Sequence, residues 1–284
     1  YYNPLHYGRW RRNLFRDHRK LLVVDCHIAF TGGAGLTDDF DHKSHPDYHW
    51  HDVMIQIEGE CVQDWQTLFR ENWIRWSDQA LPTPSTTLIT HQEWNQSGRV
   101  VESRSMTHSE VIRSVLKRIR GANERIWLAT AYFVPSRKMI RALVKQALSG
   151  IDVCLLLPGP HTDHPWARHM GRHYYEGLLG AGVRIFEYQP RFIHSKILLC
   201  DQWVSIGSSN IDRWNFRWNL EANQEVRDVA FAEAVSKQFT TDFNASHEIT
   251  LQEWLKRPAP LRLSTWFWNK MARLISWFSF SRQN

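Results

Sequence analysis

The sequence predicts an α/β protein built from two similar halves, each a mixed β-sheet flanked by helices, and three observations lead to that class. Short apolar runs alternate with amphipathic stretches of helical period over residues 99–246, which is typical of a sheet with right-handed crossover connections. One rare pattern of chemically active residues occurs twice. Its copies begin at His18 and His194, so the first half is expected to be N-terminally truncated relative to the second.

The first half is predicted to span residues 1–80. It contains a strand at 53–57 and a helix at 61–76, in which large apolar residues recur at helical spacing. These residues are expected to lie in the core, and they are Val62, Trp65, Leu68, Phe69 and Trp73. The following stretch, 81–98, opens with closely spaced prolines and is predicted to connect the halves.

The second half is predicted over residues 99–246. Its elements in chain order are a strand at 99–103, a helix at 109–120, a strand at 125–130, a helix at 137–148, a strand at 152–157, a helix at 166–180, a strand at 184–188, the second copy of the repeated pattern, a strand at 221–226 and a helix at 229–243. Residues 247–284 are predicted to form a separate tail that is basic, amphipathic and rich in tryptophan.

The repeated pattern is His-x-Lys-x4-Asp. It is written by His18, Lys20 and Asp25 and again by His194, Lys196 and Asp201. Each copy continues into a short apolar run that predicts a buried strand, so the His and Lys should share one face and the Asp should lie on the other. A turn of small residues follows each copy, at 32–35 and 207–210, and such turns bring backbone N–H groups close to a ligand.

An imidazole beside an ammonium group, present twice, suits attack on a phosphodiester. One histidine can attack phosphorus while the other protonates the departing oxygen. The two lysines can neutralise the non-bridging oxygens. This chemistry requires no metal and no cofactor, and none is expected.

At these residues the chain resembles the phospholipase D superfamily, whose members carry the doubled motif. The resemblance implies that His18 is the nucleophile, that His194 is the general acid, and that each is oriented by a carboxylate on a later strand. The matching carboxylates are Asp52 and Glu221. Phosphate-binding groups are expected at Lys20, Lys196, Ser208, Ser209 and Asn210, while Asp25 and Asp201 are expected to be structural anchors.

The two copies differ in two places. Gly35 stands where the second copy has Asn210, so one phosphate-holding amide is absent, and the second spacer between Asp and Gly is one residue shorter. The first difference puts symmetric phosphate binding in doubt, and the second is expected to change only a turn. Two other interpretations stay open, namely core strands with incidental histidines and a degenerate half that has lost activity.

Composition favours an anionic partner. The net charge is +6 and the isoelectric point is near 9.2, which suits either nucleic acid or an acidic lipid surface. The 15 tryptophans favour lipid, because this side chain prefers the membrane–water interface. Residues 261–280 are predicted to lie in that interface, with packing on the domain or on a partner as the alternative.

Four cysteines without C-x-x-C spacing indicate a reduced, cytosol-facing protein.

Two histidine-containing regions could suggest a metal. Residues 38–52 are crowded with His and Asp but follow no zinc or calcium spacing, and His169 and His173 lack a third ligand at defined spacing. Both regions are expected to border the substrate cavity instead.

Within the superfamily, residues 13–20, 207–212, 219–223 and the tail are similar to those of bacterial cardiolipin synthases. This resemblance implies a phosphatidyltransferase that joins two phosphatidylglycerol molecules into cardiolipin and glycerol through a phosphohistidine. An anionic phospholipid would be its substrate, at the cytosolic surface of the inner membrane. A nuclease or another phosphodiesterase is the main alternative, with nucleic acid as a partner only in that case. A non-catalytic lipid-binding relic is the third.

Overall fold

The computed structural model describes residue 8 and residues 16–81, 96–104, 110–211 and 219–258. The strands are β1 (Arg16–Asp17), β2 (Leu21–Val24), β3 (Ile28–Gly32), β4 (Met54–Glu58), β5 (Ser97–Ser103), β6 (Arg125–Ala129), β7 (Asp152–Pro158), β8 (Arg184–Tyr188), β9 (Ile197–Cys200), β10 (Trp203–Gly207), β11 (Asn219–Arg227) and β12 (Ser246–Ile249). The α-helices are α1 (Cys61–Trp76), α2 (Glu110–Arg120), α3 (Arg137–Leu148), α4 (Pro165–Arg172), α5 (Tyr175–Gly180), α6 (Val229–Asn244) and α7 (Leu251–Leu255).

These strands form one large mixed sheet and one small antiparallel sheet in the described part of the chain. The large sheet has the order β1-β11-β10-β9-β6-β7-β8-β12, and β5 also pairs with β11. Strands β6, β7 and β8 are parallel and are connected by α3 and by α4 with α5, as βαβ units require. The small sheet has the order β2-β3-β4. The predicted α/β class is confirmed.

The core lies in two layers, one on each face of the large sheet. Strand β7 illustrates why, because Val153, Leu155 and Leu157 pack in one layer whereas Cys154 and Leu156 pack in the other. Alternation on a strand sends successive side chains to opposite faces. Helices α2, α3, α5 and α7 cover the first face. Helices α1 and α6 cover the second together with the small sheet.

The pseudo-repeat is visible in the strand registers. Strands β2-β3-β4 and β9-β10-β11 are antiparallel in the same order, and Gly32 pairs with Met54 just as Gly207 pairs with Asn223. The first copy's extra residue lies in the turn after Asp25, as expected, because the strands on both sides keep equivalent registers. In that turn Asp25 and Cys26 both have positive φ, whereas Asp201 alone does in the second copy.

Several boundaries differ from the predicted ones. The helix predicted at 166–180 is two helices, because 3-10-type hydrogen bonds from His173 and Tyr174 tighten the chain between α4 and α5. The His-x-Lys segments precede β2 and β9 and are not part of them. The fold continues beyond residue 246, since β12 pairs with β8 and Trp254 of α7 is buried. Residues 82–95 and 259–284, which include most of the predicted connection and tail, lie outside the described residues.

Candidate active site

The backbone of the first motif is held beside β11. Strand β1 pairs with β11 in parallel, with Asp17 opposite Leu220, and the His18 N–H donates to the Leu220 carbonyl at 3.1 Å. This register places the His18 ring against the next residue, Glu221. The ring Nδ1 lies 3.0 and 3.2 Å from the two Glu221 carboxylate oxygens, and that carboxylate is fully buried.

The second motif is held in the same way by the first half. Ile193 pairs in parallel with His51, and the His194 N–H donates to the His51 carbonyl at 2.7 Å. The next residue, Asp52, accepts from His194 Nδ1 at 2.7 Å, and both side chains are buried. Each histidine is therefore paired with a carboxylate from the other half of the chain. An Nδ1–H that donates to a carboxylate leaves Nε2 as the reactive nitrogen.

The lysines fold back in both copies. Lys20 Nζ donates to the His18 carbonyl at 2.8 Å, and Lys196 Nζ donates to the His194 carbonyl. Lys196 Nζ also lies 3.1 Å from the Nε2 atom of His194. Burial lowers the pKa of Lys20, and it lowers the pKa of Lys196 to about 8.

The charges show that both motifs meet in one place. Burial and the adjacent Lys196 lower the pKa of His194 to about 4, and His18 contributes in the same direction. Lys20 likewise lowers the pKa of Lys196, while Asp52 opposes that decrease. Groups from the two halves are thus close enough to affect each other's protonation, and the resting His194 ring is neutral.

The turn after the second motif supplies unpaired polar atoms. The Ser208 hydroxyl donates to Glu221 at 2.5 Å, so it already holds that carboxylate in place. Ser209 Oγ and Asn210 Nδ2 are buried without a hydrogen-bond partner, although the Asn210 oxygen accepts from Thr130 at 3.4 Å. Buried donors of this kind are costly unless a ligand satisfies them, which makes both groups candidates for binding phosphate oxygens.

The corresponding turn of the first copy, residues 32–35, consists of glycine and alanine and offers no polar side chain. A Cβ atom on Gly33 would lie 2.4 Å from an Asp52 carboxylate oxygen, and one on Gly35 would lie 3.6 Å from the Phe40 ring. The Asp52 carboxylate therefore fills the space next to Gly33, whereas the Phe40 ring lies at an ordinary contact distance from Gly35. In the described residues, the candidate phosphate-binding side chains after the motif therefore come from the second copy.

The two motif aspartates are remote from this chemistry. Asp201 accepts hydrogen bonds from the backbone N–H groups of Asn123, Glu124 and Arg125, at 2.9 to 3.1 Å. It ties the β9–β10 turn to the start of β6. Asp25 lies in the β2–β3 turn with a φ of 50°.

Four aromatic rings around His194 were not singled out from the sequence. Their ring centroids lie 5.0 to 6.3 Å from that of His194, and they belong to Phe40, Trp50, Tyr132 and Phe192. Phe40 and Trp50 come from the two ends of the histidine-rich segment, where the Trp50 N–H donates to the Asp39 carbonyl at 2.6 Å. That segment therefore does border the site. The signal in the sequence was an aromatic residue two positions before each of Asp52 and His194.

The described residues contain neither a metal-ligand cluster nor a membrane-spanning helix. Among them, no group of three or more His, Cys, Asp and Glu side chains is arranged to hold a metal ion. None of the helices in these ranges combines the length and the apolar character needed to cross a bilayer.

The sheet order and the doubled motif define a class of protein, and the chain is similar to members of the phospholipase D superfamily. Residues 115–243 match the family model described as cardiolipin synthase, PLD-like domain. The solved structure of phosphatidylserine synthase from Haemophilus influenzae Rd KW20 has the same fold, with a TM-score of 0.64 at 13% identity. The match covers 94% of this chain and 71% of that one.

Within the superfamily the chain is similar to cardiolipin synthases. It is 34% identical over 267 residues to cardiolipin synthase A of Pseudomonas fluorescens (strain SBW25), covering 92% of this chain and 54% of the relative. It is 33% identical over 268 residues to the cardiolipin synthase of Geobacillus kaustophilus (strain HTA426), covering 92% and 52%. The chain spans about half the length of the curated relatives it matches.

Proposed function

We propose that this chain is a phosphatidyltransferase of the cardiolipin synthase type, which joins two phosphatidylglycerol molecules into cardiolipin and releases glycerol. The observation that carries the proposal is the crossed arrangement of the two histidine–carboxylate pairs, which lie beside two buried lysines. Two imidazoles with different surroundings can act as nucleophile and proton donor at one phosphorus. The similarity to cardiolipin synthases supports the choice of lipid substrate.

In the first step, Nε2 of His18 attacks the phosphorus of phosphatidylglycerol. A P–N bond forms, the P–O bond to the glycerol headgroup breaks, and His194 gives its proton to the departing oxygen. The resting His194 is neutral, with a pKa of about 4. The negative charge of the bound phosphodiester offsets Lys196 and raises that pKa, so protonation of His194 accompanies substrate binding.

In the second step, a headgroup hydroxyl of another phosphatidylglycerol attacks the phosphohistidine. His194 takes the hydroxyl proton, the new P–O bond forms, and the P–N bond to His18 breaks. One phosphodiester has replaced another, so the exchange is nearly balanced in free energy and needs no nucleotide. Water competes with the lipid alcohol, and the high local concentration of lipid at a bilayer favours transfer.

The remaining groups bind the phosphate. Lys20 and Lys196 neutralise the non-bridging oxygens, and the unpaired donors of Ser209 and Asn210 bind them directly. Ser208, also predicted to bind phosphate, donates its hydroxyl to Glu221 and so orients that carboxylate in this proposal. Asp25 and Asp201 anchor the two hairpins.

The membrane partner is part of the same proposal. The lipid substrate requires the protein to bind the bilayer surface, and we place it peripherally on the cytosolic face of the inner membrane. Its net charge of +6 suits an anionic surface.

Vesicles of phosphatidylglycerol test the activity. The protein is incubated with them, and cardiolipin and glycerol are followed by mass spectrometry, with His18→Ala and His194→Ala as inactive controls. Equal amounts of cardiolipin and glycerol, absent in both variants, are expected. Cleavage of DNA with no change in the lipid would overturn the proposal in favour of a nuclease. If neither DNA nor phosphatidylglycerol were consumed, a non-catalytic lipid-binding relic would be favoured.

A further inference from the structure

A tyrosine–aspartate pair lies next to His194 and has no part in the mechanism above. Tyr132 follows β6, and its hydroxyl donates to Asp163 Oδ2 at 2.5 Å. The Tyr132 ring meets the His194 ring edge to face, with centroids 6.3 Å apart. Tyr132 also stacks on His164 at 5.4 Å, and His164 stacks on Trp166 at 5.8 Å. These rings fix the position of the pair at the end of the β7–α4 loop.

Asp163 belongs to the same electrostatic environment as the catalytic lysine. Its carboxylate raises the pKa of Lys196 against the lowering effect of burial. The Asp163 side chain is about one-quarter exposed, so it is accessible to a bound molecule. Tyr132 donates to the Oδ2 atom of Asp163. The Oδ1 atom accepts no hydrogen bond from the catalytic histidines and lysines.

The presence of the Asp163 carboxylate close to the proposed phosphate site requires an explanation. It repels a phosphate anion in the same cavity, and at moderate distances this repulsion weakens substrate binding. The same carboxylate is a strong acceptor for hydroxyl groups. In the proposed mechanism the leaving and attacking alcohols both exchange a proton with His194, so they must approach the ring against which Tyr132 packs.

We propose that Asp163, held by Tyr132, binds the free hydroxyls of the glycerol headgroup and so selects a polyol as the alcohol in the transfer step. This inference rests on the proposed function, because it assigns the alcohol subsite of the same reaction. The incoming alcohol loses its proton to His194 while Asp163 accepts a hydrogen bond from the neighbouring hydroxyl. Water and simple alcohols lack that second hydroxyl and gain nothing from Asp163.

The test separates alcohol selection from cleavage. Phosphatidyl-p-nitrophenol in vesicles serves as donor, because its leaving group carries no hydroxyl, and glycerol or propan-1-ol is added as acceptor. Without added alcohol, release of p-nitrophenol measures formation of the phosphohistidine followed by its hydrolysis. The ratio of phosphatidylglycerol to phosphatidylpropanol, at equal acceptor concentrations, measures selection.

Asp163→Ala is expected to lower this ratio by about tenfold, the effect of losing a hydrogen bond to a charged group. Release of p-nitrophenol is recorded in the same reactions, and because the ratio compares two acceptors that attack the same intermediate, a change in the first step alone leaves the ratio unchanged. Tyr132→Phe should lower the ratio less, because it frees Asp163 without removing it. Glu176→Gln removes an exposed carboxylate on α5 and serves as the matched control, with no change in either readout.

The outcomes distinguish the two proposals. An unchanged glycerol-to-propanol ratio in Asp163→Ala, with p-nitrophenol still released, overturns the alcohol subsite while leaving the transferase intact. A parent protein that shows no preference for glycerol overturns it as well. Failure of the transferase proposal appears elsewhere, as absence of cardiolipin from phosphatidylglycerol vesicles treated with the parent protein.

Discussion

Glu221 is fully buried, and a carboxylate in that position is stabilised by the groups around it. His18 and Ser208 both hydrogen-bond to it. Such a carboxylate fixes the histidine tautomer and favours the imidazolium form that develops during reaction. The effect of Glu221 on catalysis should therefore exceed its effect on folding.

Replacing this carboxylate by an amide should impair the first step. In Glu221→Gln the amide can donate to His18 and favour the wrong tautomer, so kcat should fall by about a hundredfold or more. Glu225→Gln is the matched control, because Glu225 lies on the same strand, is equally buried and pairs with Arg99 at 2.8 Å. Both variants are compared by phosphodiester turnover and by melting temperature. Equal losses of kcat in the two would contradict the orienting role.

The alkaline side of the pH profile reports on Lys196. Its pKa of about 8 means that the ammonium is present below this pH and is lost above it. We expect kcat/KM to fall as pH rises through about 8, whereas kcat should fall at higher pH because bound phosphate stabilises the ammonium. Lys196→Arg keeps its charge at any of these pH values. An alkaline decline that is unchanged in this variant would exclude Lys196 as its source.

The acidic side concerns stability. The pKa of His194 is lowered in the folded protein from an ordinary value near 6.5 to about 4, so the unfolded chain binds this proton more readily. The free energy of unfolding is therefore highest above about pH 6.5, and it decreases as pH falls towards about 4 because the unfolded chain takes up the proton first. The melting temperature should therefore decrease over this interval, and His194→Asn should flatten the decrease. A parallel decrease in both proteins would contradict the assignment.

Some residues of the candidate site could be predicted from the sequence and others could not. The His and Lys residues of both motifs were predictable because their types and spacing are rare, and the structure brings them together. Asp52 and Glu221 were expected as orienting carboxylates from the resemblance, but which histidine each contacts was not predictable. The pairs cross between the two halves, and local sequence does not determine a register between distant segments. The rings around His194 come from four separated positions, and no periodic pattern connects them.

At the scale of elements, two short parallel pairings position the candidate active site. One joins β1 to β11, and the other joins Ile193 to His51. The His51 side chain is itself fixed by Asp242 of α6 at 3.0 Å and by stacking on Tyr188 at 5.1 Å. Small-residue turns next to these pairings let the carboxylates approach the backbone. The strands and long helices were predicted well because burial on both faces leaves continuous apolar runs.

The turn after β3 offers a test at this scale. A Cβ on Gly33 would overlap Asp52, so Gly33→Ala should displace this carboxylate from His194 and reduce turnover by about tenfold or more. Gly177→Ala is the control, since nothing lies within 4 Å of a Cβ at that helical position, and it should leave activity unchanged. Turnover of a soluble phosphodiester is measured for both. Full activity in Gly33→Ala would show that this contact does not position Asp52.

At the scale of the whole molecule, charge is concentrated on one face. Helices α2 and α3 cover the same side of the large sheet. Their charged residues are Arg113, Lys117, Arg118, Arg120, Arg137, Lys138, Arg141 and Lys145, with Glu110 as the acidic exception. These two helices carry a net charge of +7, whereas the whole chain carries +6, so the rest of the chain is close to neutral. In the membrane-bound protein that we propose, we expect this pair of helices to face the anionic bilayer.

Vesicle binding should follow this charge. Association with phosphatidylglycerol vesicles should weaken by about tenfold or more between about 50 mM and about 500 mM salt, because screening shortens the range of surface charges. The double variant Lys138→Glu, Arg141→Glu should bind less at low salt. Lys237→Glu, on α6 across the sheet, is the control and should bind nearly normally. Flotation assays measure all three, and equal binding by both variants would contradict the assignment of this face.

Double substitution of the two histidines tests most directly whether both motifs serve one reaction. His18→Asn and His194→Asn are each expected to lower turnover of a soluble phosphodiester by about a thousandfold or more, and the double variant should be no slower than the slower single variant. When two groups act on one phosphorus, removing either one abolishes the shared reaction, so removing the second has little further effect. If each single variant kept about half of the activity and only the double variant were inactive, the two motifs would be independent sites.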